Sequence, residues 1–155
     1  MRAFTLDGFE TQPALRDDLA EPRPGSGELL VRVRASSVNP ADVAIAAGLL
    51  KGIAEYEFPV TLGRDFAGVV ERVGDGVTGY RAGDEVFGFL LHANPEVHDG
   101  MSQPTPENLQ RLAELLETGR LRVPIQRTYE LAQAGEAMKA LAGSHTQGKL
   151  AIIVE

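Results

Sequence analysis

"FPVTLGRDFAGVVERVGDGVTGYRAGDEVFG", residues 58–88, decides the fold. Residues 65–74, DFAGVVERVG, alternate apolar and polar side chains as a half-buried strand does. A turn-rich link, DGVTGYRAG, then leads into a further strand over 84–89. Glycines at 68, 74, 76, 79, 83 and 88 are expected to mark turns, bulges or close backbone approaches.

Upstream, GELLVRVRASSV at 27–38 alternates more cleanly. Leu30, Val31 and Val33 stand among Glu28, Arg32 and Arg34, and a Pro/Gly turn, EPRPGSGE, precedes them. MRAFTL at 1–6 is a short alternating run. One helix interrupts this β-rich part. In NPADVAIAAGLL, at 39–50, Asn39 suits the N-cap, Pro40 the first helical position and Asp42 the third, with Gly48 weakening or ending the helix.

The last fifty residues change character. PTPENLQRLAELLETG, at 104–119, predicts a helix capped by Thr105, started by Pro106 and stopped by Gly119, with Leu109, Leu112, Ala113 and Leu116 on one stripe. LRVPIQRTYEL reads as a short strand. LAQAGEAMKALAG reads as a further helix with Leu131, Ala134, Met138 and Leu141 on one face. GKLAIIVE is apolar throughout, so it is expected to be a central strand or one covered on both faces. Residues 91–105 show little periodicity.

Composition narrows the function. The chain has 155 residues, 43% of them hydrophobic, which suits one globular domain with its own core. Its 15 Lys and Arg against 22 Asp and Glu give a net charge of −7, the wrong sign for a nucleic-acid binder. The absence of cysteine excludes disulfides and thiolate–zinc sites. No run approaches the length of a membrane span, and the N-terminus lacks a signal-peptide core, so a cytoplasmic protein is expected.

Three stretches, LLVRVRASSVNPADVAIAAG (29–48), residues 58–88 and residues 112–154, resemble the medium-chain dehydrogenase/reductase superfamily, most closely its zinc-free quinone oxidoreductase branch. The resemblance implies an α+β, mainly β fold: a GroES-like, partly open β-barrel with a few flanking helices. In that family a nucleotide-binding Rossmann domain interrupts the GroES-like domain. Here residues 1–90 match the first part and 106–155 the returning part, with 91–105 as a splice segment in place of the Rossmann domain. No G-x-G-x-x-G fingerprint after a strand is expected in the chain, and no cofactor site.

The resemblance also suggests where chemistry would lie. Zinc-dependent relatives hold their metal at positions that match Asn39, Arg64 and Asp65. An amide and a guanidinium do not replace thiolate and imidazole, so no metal is expected. Asn39 would lie on the floor of the substrate cleft, or simply cap the helix together with Asp42. Arg64 and Asp65 would flank the cleft, Arg64 polarising a carbonyl and Asp65 acting as a base, or would form an ordinary surface ion pair. Tyr56 and Phe58 are candidates for the pocket wall, as are Phe89 and Leu91. His92 and His98 are candidates for proton transfer. Lys149 is assigned no role.

The implied ligand is an enone, quinone or ketone. Without a cofactor domain the chain is not expected to work alone as an NADPH-dependent enzyme. Three functions stay open: cofactor-free isomerisation, conjugate addition or cyclisation; an incomplete oxidoreductase; or a binding module. In the last, the surface uncovered at Phe87, Phe89, Leu90 and Leu91 would meet a partner protein or a second copy.

Overall fold

A computed structural model describes residues 1–53, 55–90 and 105–154. The chain forms β1 (Ala3–Leu6), β2 (Ala14–Arg16), β3 (Leu29–Val38), α1 (Pro40–Ala46), β4 (Val60–Thr61), β5 (Asp65–Val73), β6 (Glu85–Phe89), α2 (Pro106–Glu117), β7 (Ile125–Glu130), α3 (Ala134–Gly143) and β8 (Lys149–Ile153). A 3-10 turn, Leu131–Gln133, leads into α3. The strands make two sheets, one in the order β2-β1-β4 and the other in the order β6-β5-β3-β8-β7. This is the mainly β, partly open arrangement expected: β6 and β7 are opposite edges of the larger sheet, and no closed barrel forms among the described residues.

β3 is the spine. Its alternating residues pair antiparallel with β5 on one side and with β8 on the other. The β3–β5 ladder shifts register between Leu30 and Val31 and again between Val33 and Ala35. Gly68 lies in that stretch, where an added Cβ would meet the Arg32 carbonyl oxygen at 2.2 Å. A glycine lets the two backbones come this close.

The terminal apolar run is a central strand, as its composition implies: β8 lies between β3 and β7, parallel to β7. It is not covered on both faces, because Leu150 and Ile152 are buried while Ile153 is 41% exposed. Leu150 and Ile152 join Phe4, Val38, Tyr129, Ala134 and Ala137 in the main core, against which Leu131, Met138 and Leu141 pack. The predicted apolar face of α3 therefore closes one side of the sheet.

Other expectations need correction. β2 and β4 have only three and two residues, too short to show a period. In α2, Thr105 caps as predicted, its hydroxyl accepting the Asn108 N–H at 3.3 Å. The leucine stripe of α2 is not a core face, however. No α2 residue is buried, and Leu112 and Leu116 are 43% and 45% exposed. Periodicity identifies an apolar face but not what covers it.

Candidate functional site

The polar residues of interest gather where β3 runs into α1. The β3–β8 ladder ends at Val38 opposite Leu150, so the next residue on each side brings Asn39 beside Lys149. β5 begins at Asp65 on the other flank of β3. Four side chains meet there. The Asp65 carboxylate accepts hydrogen bonds, all on Oδ2, from the Ser37 hydroxyl, from Asn39 Nδ2 at 3.0 Å and from Lys149 Nζ at 3.1 Å. Lys149 Nζ also donates to Asn39 Oδ1. Ser36 adds a hydrogen bond of 2.8 Å to the Asp65 carbonyl oxygen.

These contacts set the proton affinity of Asp65. Burial alone would raise its pKa, but the bonds from Ser37, Asn39 and Lys149 outweigh burial and hold it below the ordinary carboxylate value. Asp65 is thus a shared acceptor that anchors Ser37, Asn39 and Lys149, and the lowered pKa makes it a weaker base than a free carboxylate. The expected Arg64–Asp65 ion pair is likewise replaced by the pair with Lys149. Arg64 is half-buried; its carbonyl oxygen accepts the Leu90 N–H at 2.8 Å, while its Nε is buried with no hydrogen-bond partner.

Asp42 plays a different part. It is 2% exposed and accepts the Asn39 N–H at 2.8 Å and the Gly63 N–H at 3.1 Å. It thereby clamps the start of α1 to the loop that enters β5. Burial pushes its pKa up, the two backbone hydrogen bonds opposing. The capping role predicted for Asp42 holds. The Asn39 amide makes its side-chain bonds to Asp65 and Lys149, while the Asn39 backbone carbonyl takes the Asp42 N–H at 3.0 Å.

A cavity of about 220 Å³ adjoins this corner. Its walls are largely apolar, from Phe4, Leu62, Phe66, Leu131, Met138 and Ile152, while Ser36, Ser37, Asp42 and Asp65 supply polar lining. Ser36 and Ser37 bond directly to Asp65, which gathers three of these polar residues at one corner, while Arg2 and Thr61 also line the cavity. A small ligand pocket has this character: apolar walls and a few convergent polar groups. A second, wider groove of about 650 Å³ lies over β3, β5 and β6, lined by Val31, Val33, Tyr80, Phe87 and Leu90 among others.

The remaining candidates fall elsewhere. Tyr56 and Phe58 line neither cavity. They pack edge to face on Phe9, with ring centroids 5.4 and 5.1 Å apart, and Lys51 Nζ stands 5.8 Å from the Phe9 centroid. The expected pocket wall is instead an aromatic cluster tying the N-terminal loop to residues 56–58. Phe89 pairs with Asp65 across β5 and β6 and lines neither cavity. Phe87 and Leu90 are 49% and 50% exposed, as expected of an uncovered patch. Leu91, His92 and His98 lie outside the described residues. Sequence reasoning missed Ser37 and Lys149. Lys149 is 110 residues from Asn39, and only the strand register brings them together.

No metal site is evident among the described residues: no three His, Asp or Glu side chains converge. The spacing G-x-G-x-x-G does occur, at Gly74–Gly79 (GDGVTG) directly after β5, which corrects the expectation that none follows a strand. It opens no helix, however, and leads through turns to β6. An added Cβ on Gly74 would lie 1.9 Å from the Gly25 carbonyl oxygen, so this glycine admits the chain's own backbone rather than a pyrophosphate.

Comparison with known proteins agrees with this architecture. The family model described as "Alcohol dehydrogenase GroES-like domain" matches residues 25–114. Quinone oxidoreductase of Rattus norvegicus is 34% identical over 114 residues, which cover 70% of this chain and 34% of that protein. Phthioceranic/hydroxyphthioceranic acid synthase of Mycobacterium tuberculosis is 55% identical over 65 residues, 42% of this chain and 3% of the synthase. The solved quinone oxidoreductase from Coxiella burnetii superposes with a TM-score of 0.83 at 16% identity, covering 100% of this chain and 99% of that one. The chain thus spans about a third of the length of the rat relative it matches.

Proposed function

The chain belongs to the alcohol dehydrogenase GroES-like domain family, in the quinone oxidoreductase branch of the medium-chain dehydrogenase/reductase superfamily, and from that premise we propose that it binds a small apolar carbonyl compound, a quinone or enone, in the cavity beside Asp65. The observation that carries this is the cavity itself: apolar walls that suit a ring or alkene, bounded on one side by a polar corner that suits an oxygen. The names of the quinone oxidoreductase relatives support the ligand class. Residues 91–105 stand, in this proposal, where longer relatives carry a cofactor domain, so the chain holds the substrate without holding the dinucleotide.

Cofactor-free isomerisation, conjugate addition or cyclisation in the same cavity is a second reading, favoured by one observation. Asp42 lines the cavity and burial raises its pKa, which moves a carboxyl toward proton transfer near neutral pH. Its two backbone hydrogen bonds give it a structural task as well, so binding is the better supported function.

Two calorimetric titrations test the proposal, one with 1,4-naphthoquinone and one with NADPH. The chain has no cysteine, so thiol addition does not confuse the quinone result. Saturable binding of the quinone without binding of NADPH supports it. NADPH binding without quinone binding overturns it.

A further inference from the structure

We propose that the cavity and the outer groove receive one ligand, whose carbonyl head lies in the cavity and whose apolar tail lies along the groove. The inference rests on the cavity reading above and adds the shape of the compound: a quinone or enone that carries an uncharged alkyl tail.

Three residues join the two spaces. Val33, Phe66 and Leu90 line both, and they share one face of the larger sheet. Residues directly opposite each other on antiparallel strands point to the same side, and alternate residues along a strand do so too. Val31 pairs with Val70, Val33 with Gly68, Gly68 with Val86 and Phe66 with Gly88. The bond from the Leu90 N–H to the Arg64 carbonyl oxygen extends the β5–β6 ladder by one step, which puts Leu90 on the Gly88 side. The cavity and the groove therefore meet at these three side chains rather than lying back to back across the sheet. Phe66 stands at the junction. An added Cβ on Gly88 would come within 2.8 Å of its ring, so the bare backbone of β6 leaves the ring room to settle against the sheet.

Size and chemistry favour a single occupant. Sites for small molecules span about 300–1,000 Å³. The cavity alone, at about 220 Å³, is below that range, and together with the groove of about 650 Å³ it falls inside it. The groove follows β3 from Val33 back to Leu29, about 13 Å, which is room for an octyl chain. Tyr80, Phe87 and Leu90 on its walls are 53%, 49% and 50% exposed. An alkyl chain laid there covers apolar surface and is favoured in proportion to the area removed from water. Among the described residues the one charged side chain of the groove is Glu85, which repels a carboxylate, so the tail is that of a neutral compound rather than of a fatty acid.

The probes are 2-methyl-1,4-naphthoquinone and 2-octyl-1,4-naphthoquinone, which differ only in the tail. Calorimetric titration should give one octyl compound per chain. Each methylene half-covered in the groove should tighten Kd roughly twofold, and the whole tail roughly tenfold or more. In amide NMR the octyl compound should shift Tyr80 and Val86 together with Ser37 and Met138, and the methyl compound only Ser37 and Met138. The double variant Tyr80→Ser, Phe87→Ser removes two exposed side chains from the groove. It should lose most of the gain from the tail and bind the methyl compound as wild type does. If the methyl compound binds in the cavity and the octyl compound binds no tighter, the tail site is wrong and the cavity reading stands. The tail site is equally wrong if the double variant, shown folded by circular dichroism, keeps the full gain. If neither compound shifts Ser37 or Met138, the cavity reading falls and the tail site falls with it.

Discussion

Replacing Asp42 with alanine tests whether this carboxylate clamps the fold. Two backbone N–H groups, of Asn39 and Gly63, would lose acceptors now at 2.8 and 3.1 Å. A buried donor left unpaired costs about 1–3 kcal/mol. Removing a buried charge offsets part of that, because burial disfavours the ionised form. The net expectation is a loss of about 2 kcal/mol. For a domain of this size each kcal/mol moves Tm by about 2–4 °C, so Asp42→Ala should melt about 4–8 °C lower. Asp42→Asn keeps one acceptor oxygen and should lose roughly half as much.

The pH profile adds a signed test. The folded-state pKa of Asp42 is raised, so its contribution to stability is fully present below its unfolded pKa of about 4 and is lost as pH rises through the folded value. Asp42→Asn should therefore lose less stability than wild type between about pH 4 and 7. The assay is urea or thermal unfolding followed by circular dichroism over that range. An Asp42→Ala chain that melts within about 1 °C of wild type would refute the clamp.

Further outcomes follow from single contacts. Asp65 has the opposite sign: its pKa is lowered, so its stabilisation is present above about pH 4 and is lost as pH falls through the folded value. Asp65→Asn should cost about 1–2 kcal/mol near neutrality and flatten the acid end of the stability profile, both read by unfolding. Gly68→Ala would place a Cβ 2.2 Å from the Arg32 carbonyl oxygen; a loss of about 1–3 kcal/mol in urea unfolding is expected. Thr105→Ala removes the α2 cap. Because α2 has no buried residue, amide exchange in α2 should quicken by the equivalent of about 1 kcal/mol while global Tm holds.

The fold was legible because its long elements carry strong local signals. β3 and β5 alternate over ten and nine residues, and α1 and α2 begin with an N-cap followed by Pro40 or Pro106. Short strands such as β4 exist only through their partners: Thr61 and Val60 pair with Thr5 and Leu6, and two residues carry no period. The GDGVTG run shows the converse: its spacing is that of a phosphate cradle, yet Gly74 is occupied by the chain's own Gly25 carbonyl.

The site was half legible. Asn39, Asp42 and Asp65 stand out locally, since a cap and a strand start are sequence features. Their chemistry depends on Lys149, whose place is set by the Val38–Leu150 register of two strands far apart in the chain. The same tertiary contact makes Asp65 an anchor for Asn39 and Lys149. Tyr56 and Phe58 could not be assigned because their partner, Phe9, sits in another loop.

The most direct test of the central claim is amide NMR mapping of the chain titrated with 1,4-naphthoquinone. The account predicts saturable shifts at Ser37, Leu62, Gly63, Met138 and Ile152, which line the cavity. Shifts confined to Tyr80, Val86 and Phe87, in the outer groove, would contradict it, as would no shift at all.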